Sequence, residues 1–521
     1  MIVGKCGAFG YLCFIAFSFL LFATPNDALC ATYYVSLTGN DTNNGLTKAF
    51  SWKTFAHAFG VISPGDTLII ANGTYHEQIS PTVSGSSGNP ITIRAETVGG
   101  VVIDMQTDGP AIYINSTTSK TISHITIEGL IARGHGESAA IRVGSSDSVS
   151  ESQMTNNIII RKTGAFGSAN LRNSSIFGIG NNTRDSLFED IWSYGYGRIA
   201  LIAFGSLRIT IRRAVLRHDY WDGSEYKPND PRISFSGYNT RDSIFENIIA
   251  LDSAPTPIGR GGDRAGMAAA GNETPAIVSS SRNNKYLGLI SLNNIGNGFE
   301  ADGGSGNTNK EIYFKDIISW DNTGVGFNLQ ANDDGCNIIN SSFGVNGGIG
   351  LRIDPYPRDP ITNAVIRNCF SYNNTGKGYY YGINQVSQFL NNTGVGNDGN
   401  NFEPQYAPTL RYLVKPDQIV SHERGATVTH RYINGVLTNE TLWPWPHEDL
   451  IKSWMCNPQD LQATHRIAQN GEKWAPGLCE SGKTLTRYIW EYLGHPIPDE
   501  IYNSNTQNPI KPIPPSSLSI R

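Results

Sequence analysis

Four stretches in the second half of the chain decide its reading: Asn294-Ile-Gly-Asn-Gly-Phe299, Asn322-Thr-Gly-Val-Gly-Phe327, Asn346-Gly-Gly-Ile-Gly-Leu351 and Asn374-Thr-Gly-Lys-Gly-Tyr379. They share the frame Asn-x-Gly-x-Gly-apolar and recur after 28, 24 and 28 residues, and a degenerate fifth copy starts at Asn392. Each follows a short alternating apolar run, such as Ile312-Tyr-Phe314 or Ala364-Val-Ile366, that reads as a strand. The same signal without the Asn marks earlier positions, among them Ile91-Thr-Ile93, Ile125-Thr-Ile127 and Ile158-Ile-Ile160. Units of two or three short strands cannot each bury a hydrophobic face alone, so they stack. The period is too short for propeller blades and lacks a Leu-rich consensus, which leaves an all-β solenoid: a right-handed parallel β-helix of about ten coils over residues 83–402. An Asn at the same bend of successive coils can bond to its neighbours and tolerates left-handed geometry. Asn294, Asn322, Asn346 and Asn374 are therefore expected to form an internal ladder rather than a catalytic set.

Composition agrees. Of 521 residues, 56 are Gly and 47 Asn, and only 16% are charged, which excludes long helical bundles built from Ala, Glu, Lys and Leu. A hydrophobic share of 39% is enough for a core and too high for a disordered chain. The net charge of -5 argues against a nucleic-acid binder held by bulk phosphate attraction. Residues 1–31, with Lys5 and the apolar run Tyr11 to Phe22, read as a signal peptide for a secreted, periplasmic or cell-surface protein, and no later segment is apolar enough to span a membrane. Beyond it lie Cys336 and Cys369, expected to be small buried apolar residues, and Cys456 and Cys479, expected to close a loop as a disulfide. No CxxC or HExxH occurs, so no zinc site is indicated.

Both ends of a solenoid expose strand edges and invite caps. Residues 32–82 supply a strand and a helix, with Ser51 as N-cap and Trp52, Phe55, Ala56 and Phe59 on one face. Residues 403–502 read as a C-terminal capping region whose amphipathic helix carries Leu485, Tyr488, Ile489, Tyr492 and Leu493, and residues 503–521 read as a flexible tail. Gly477-Leu-Cys-Glu-Ser-Gly482-Lys483-Thr484 matches a phosphate-loop pattern, but Trp474-Ala-Pro476 before it is no buried strand, so no nucleotide partner is expected.

Tyr33-Tyr-Val-Ser36, Gly39-Asn-Asp41, Ser51-Trp52 and Pro64-Gly-Asp-Thr-Leu-Ile-Ile-Ala-Asn-Gly-Thr-Tyr-His-Glu77 together resemble the opening of secreted right-handed β-helix proteins related to polysaccharide lyases, the pectate-lyase-like and chondroitinase-B-like enzymes. The resemblance is specific over roughly residues 32 to 105 and implies the fold before the chemistry. In those enzymes an acidic calcium ligand precedes a Lys-Ser box and an Arg-His-Gly motif follows. Here no Lys-Ser box stands ahead of Arg217-His218, the one Lys-Ser pair being Lys452-Ser453, and Asp219 follows His218 in place of Gly.

After the last Gly of each repeat, residues should alternate inward and outward. Phe299, Phe327, Leu351 and Tyr379 then face the core, while Glu300, Asn328, Arg352 and Tyr380, followed by Asp302, Gln330 and Asp354, stack as an outward polar stripe. Such a row suits a linear sugar polymer, with polar groups for hydroxyls and a ring for CH faces; a solvated strand face is the alternative. Two insertions, from Asp219 to Pro231 and from Ala254 to Ala276, can wall that groove. β-Elimination on a uronate needs its carboxylate neutralised and a base for the adjacent proton. Ca2+ on Glu300, Asp302 and Asp252, or the cations Arg217 and Arg232, would neutralise, and Lys227 or His218 would be the base beside Asp219. Glu300 with Asp302, or Asp219 with Asp222, would instead serve a hydrolase. The expectation is a monomer acting on acidic polysaccharide, most directly as a lyase, with hydrolysis and non-catalytic glycan binding as the alternatives.

Overall fold

In the computed structural model, residues 30–136, 138–144, 149–167, 175–220, 232–253, 264–270, 281–302, 309–330, 333–353, 361, 363–381, 386–404, 430–457 and 477–493 are described. The expected signal peptide before Cys30, the expected tail 503–521 and Lys227 lie outside them.

Strand pairing is parallel throughout the solenoid, and each coil passes through three faces. The first face carries strands such as Ile91–Ala95 and Ser123–Glu128, and the second carries Val101–Asp104 and Leu130–Arg133. Strands Leu187–Tyr196, Thr210–Tyr220 and Ile244–Leu251 run through the corner between them and join both faces into one 23-stranded sheet. The third face is a separate sheet of 11 strands, from Ile112–Ile114 to Phe402–Pro404, where about ten coils were expected. Side chains alternate across each face. Phe299, Phe327, Leu351 and Tyr379 are buried in the core as expected, with the Phe299 and Phe327 rings stacked at 5.7 Å.

The corners account for the Asn, Asp and Gly excess. Asp190, Arg213, Asn247, Asp316, Asn340 and Asn368 all hold left-handed φ angles of 51–57° at the corner from the first face to the second. At the next corner stands the Asn ladder. Asn322 Oδ1 accepts from the backbone N–H of Asn294 (3.0 Å) and from its Nδ2 (3.2 Å), while Asn322 Nδ2 donates to Asn346 Oδ1 (3.0 Å). The chain of amides continues through Asn374 (3.0 Å) to Asn397 (2.8 Å). The fifth rung is thus Asn397 rather than Asn392, which sits one corner earlier and accepts from Cys369 N–H at 2.9 Å. Each rung satisfies buried backbone groups that would otherwise cost about 1–3 kcal/mol apiece.

At the N-terminal end, helix α1 spans Phe55–Val61 with Thr54, not Ser51, as N-cap. Its buried face is Phe55, Ala58 and Phe59, and Ala56 is exposed. A helix beginning three residues later than expected turns Ala58, at i+3 from Phe55, toward the core. Glu77 accepts from the Phe55 and Ala56 N–H groups at 2.8 Å each, filling donors that a helix start leaves open.

The C-terminal region departs most from expectation. Helices α2 (Glu448–Met455) and α3 (Leu485–Leu493) do not close the end of the solenoid but lie along its flank. Leu442, Trp445, Ile451, Met455, Leu485 and Ile489 pack on outward residues of the second face, including Trp192, Val215, Ile249, Leu292 and Trp320. The reason is that this face is apolar on both sides, as in a sheet covered by further structure. The expected Cys456–Cys479 disulfide is formed, with Cα atoms 5.3 Å apart, and Cys336 and Cys369 are buried thiols in no disulfide.

Candidate glycan-binding face

The third face positions the candidate site. Register puts Glu300 beside Asn328, Asn328 beside Arg352, and Arg352 beside Tyr380, one residue per coil. Inward neighbours Phe299, Phe327, Leu351 and Tyr379 anchor these strands in the core, so the alternation forces the polar residues outward. Glu300 and Asn328 are nonetheless largely covered. Gln330 Nε2 donates to Glu300 Oε1, and Asn328 Nδ2 lies 3.5 Å from the same oxygen. Beyond them the stripe becomes cationic and aromatic: Arg352 and Tyr380 are half-buried, and Lys377 Nζ sits 4.9 Å from the Tyr380 ring centroid. A carboxylate, an amide, a guanidinium and a phenol thus follow one another at the strand spacing of ~4.8 Å, with Gln330 and Lys377 beside them. The side chains of Asp302 and Asp354, expected on the same stripe, lie outside the described residues.

Arg217, His218 and Asp252 are not gathered there. Arg217 is fully buried under the C-terminal segment, with Nη2 donating to the Met455 carbonyl (2.5 Å) and Nη1 3.7 Å from Cys479 Sγ. His218 Nε2 contacts the carbonyl of Gly197, also out of solvent. Asp252 accepts from Tyr488 Oη (2.6 Å), Asn293 Nδ2 (2.8 Å) and Leu478 N–H (3.2 Å). Burial pushes the Asp252 carboxyl above its ordinary pKa, against the pull of those bonds and of the Arg217 charge. Asp252, an expected metal ligand, therefore seats the C-terminal segment, away from Glu300. Among the described residues no three His, Cys, Asp or Glu side chains gather to hold a metal ion. The side chains of Asp219 and Arg232 lie outside the description, as does Lys227.

Sequence reading missed a second charged row. On the first face, Arg94, Glu128, Arg161, Glu189, Arg212 and Glu246 stand in register in alternating sign. Arg161 reaches Glu128 at 3.0 Å and Arg212 reaches Glu189 at 2.8 Å. Glu246 is fully buried and accepts from the Asn434 and Gly435 N–H groups (3.1 and 3.0 Å) of a hairpin formed by His430–Ile433 and Val436–Thr441. These charges cross-link coils and hold the hairpin, and are spent on structure. The signal was present: a charge of alternating sign follows each apolar triplet, as in Ile91-Thr-Ile-Arg94 and Ile125-Thr-Ile-Glu128.

Residues 50–108 match the family described as Chondroitinase B, overlapping the stretch 32–105 that carries the resemblance. The chain is 35% identical over 144 residues to YwoF of Bacillus subtilis, described as uncharacterized; the match covers 26% of this chain and 30% of that protein's length. By fold, the chain is a parallel β-helix. Solved structures similar to it include the pectate lyase Pel9A (14% identity, 70% of this chain and 79% of that one, TM-score 0.42). Others are XylC in complex with xylose (11%, 67% and 76%, 0.45) and a PL6 family polysaccharide lyase from Pseudopedobacter saltans (14%, 65% and 80%, 0.34). No helix among the described residues is long and apolar enough to cross a membrane.

Proposed function

We propose that the protein works outside the cytoplasm on an acidic polysaccharide, which it binds along the third face and cleaves by β-elimination. The observation that carries this reading is the in-register row Glu300–Asn328–Arg352–Tyr380 on an outer strand face. Arg352 and Lys377 suit a uronate carboxylate and Tyr380 suits a sugar CH face. In an elimination the cations draw charge from the carboxylate, so the proton on the adjacent carbon becomes acidic. A base takes that proton, its electron pair forms the new double bond, and the glycosidic oxygen leaves with a proton from solvent. Lys227 is the proposed base, since segment 221–231 feeds the strand Arg232–Tyr238 of the same face. Asp219 and Arg232 flank that segment, and Arg217 and His218 serve by fixing the strand end from which it departs. Calcium fits less well. Glu300 Oε1 is engaged by the Gln330 and Asn328 amides, and Glu300 with Asp302 offers few of the six to eight oxygens Ca2+ takes, so no step is assigned to it.

The test is incubation of the protein, with and without Ca2+, with polygalacturonate, alginate and chondroitin sulfate while following the ultraviolet absorbance of unsaturated product. A rise with one polymer, slowed at least about tenfold in Lys227→Ala, is expected. New reducing ends without absorbance would replace elimination by hydrolysis, and retention on a polymer without either product would leave binding alone.

A further inference from the structure

The same third face carries a second, unassigned cluster near its other end. Tyr113, Arg142, Gly178 and Ile202 occupy successive outward positions of one register column, and Phe204 and Tyr238 are paired in the column two residues further along. The Phe204 and Tyr238 rings are stacked, with centroids 5.1 Å apart and planes 17° from parallel, so each ring turns a face along the solenoid axis. One face of Phe204 is covered by Tyr238. On its other side Phe204 is level with Gly180, just past the end of the strand Ser175–Ile179, while Gly178 lies beside Ile202 in the adjacent column; both rings remain half-buried rather than covered. A Cβ added at Gly178 would meet nothing nearer than the Ala139 Cβ at 3.9 Å and the Ile141 carbonyl at 4.0 Å, which leaves an open step in the strand face. Arg142 stands on the far side of that step, half-buried, and makes no hydrogen bond or ion pair among the described residues, in contrast to the arginines of the first-face ladder. Two strand spacings, ~10 Å, separate the Arg142 strand from that of Phe204, which is room for one pyranose ring lying against the aromatic face.

We infer that Arg142, the Gly178 step and Phe204 form a separate subsite for one acidic sugar residue, its CH face on the Phe204 ring and its carboxylate on the Arg142 guanidinium. This rests on the reading of the third face as a polysaccharide-binding surface and extends it. Arg142 and Arg352 are seven strands apart in one column, ~34 Å, and the positions Ser236, Ala268, Glu300 and Asn328 between them are buried, so a polymer engaging both ends would cross that covered stretch. Joining two weak subsites through one chain multiplies their affinities.

The experiment measures, by calorimetry, the binding of galacturonate and mannuronate oligomers of increasing length to the full protein and to Arg142→Gln, Phe204→Ala, Gly178→Val and Arg352→Ala. Gly178→Val fills the step without a backbone clash and keeps the test valid if Phe204→Ala disturbs packing. In the native protein affinity should climb steeply once oligomers exceed ~34 Å. Arg142→Gln, Phe204→Ala and Gly178→Val should each remove that climb, about tenfold for the longest oligomers, and leave short ones unaffected. Arg352→Ala should weaken short and long oligomers alike. If the three variants bind long oligomers as the native protein does while Arg352→Ala is impaired, the subsite is overturned and the proposed function stands. If Phe204→Ala weakens neutral glucan oligomers equally and Arg142→Gln changes nothing, an acidic occupant is overturned. If the native protein binds no uronate oligomer, both readings fall.

Discussion

Asp252 shows how far one residue's meaning depends on a partner that its neighbours in sequence do not reveal. Read locally it is a hard oxygen ligand near the candidate groove; in the fold it accepts bonds from Leu478 and Tyr488, more than 220 positions away. Arg217 shares that fate through Met455, whereas Glu300, Asn328 and Arg352 were legible because a period-two strand sets their direction without long-range information. Because burial holds the Asp252 carboxyl above its ordinary value of 3.8, the native state keeps its proton to higher pH than the unfolded chain does. Its contribution to stability is full below the unfolded value and is lost as pH rises through the native one. Melting temperatures of the native protein and Asp252→Asn, compared from mildly acid to neutral pH, should therefore diverge, the native protein losing ground as pH rises. Parallel curves would mean that the carboxyl titrates normally.

Among elements, the C-terminal segment behaves as a strap. Its helices lie on the second face, its hairpin on Glu246 and, through Tyr432, on Asp316 and Asn247. The sequence carried half of this. Ile248-Ile-Ala-Leu251 is a continuous apolar run, and Leu289-Ile-Ser-Leu292 and Ile317-Ile-Ser-Trp320 are broken only by one Ser each, the mark of strands covered on both sides, but no local pattern names the cover. Placing the amphipathic helix at the end of the solenoid was the natural expectation, since exposed strand edges are the better known hazard. The Cys456–Cys479 bridge closes a loop of 23 residues within the strap and should contribute about 3 kcal/mol by restricting the unfolded chain. Cys456→Ser is expected to raise hydrogen exchange in α2 and α3 while amides of the Asn ladder keep their protection. Equal loss of protection in both would show that strap and solenoid unfold as one unit.

For the whole molecule, the solenoid was readable because its repeat is written in the corners: Asn and Gly at fixed places, with apolar triplets between them. What the charges do was less readable, since the first-face ladder and the third-face stripe look alike in composition. Only three-dimensional pairing separates them. Arg161 and Arg212 pair with glutamates one coil away, and Arg352 lies in register between Asn328 and Tyr380. A guanidinium beside a phenol ring on an outer strand face makes the third face the side on which an acidic polymer is expected. Electrophoresis of the native protein and of Arg352→Ala through gels containing polygalacturonate, alginate or neutral dextran tests it most directly. The native protein should be retarded by a uronate polymer and not by dextran, and Arg352→Ala should bind that polymer about tenfold more weakly. Equal retardation of both proteins, or no retardation by any uronate polymer, would contradict the account.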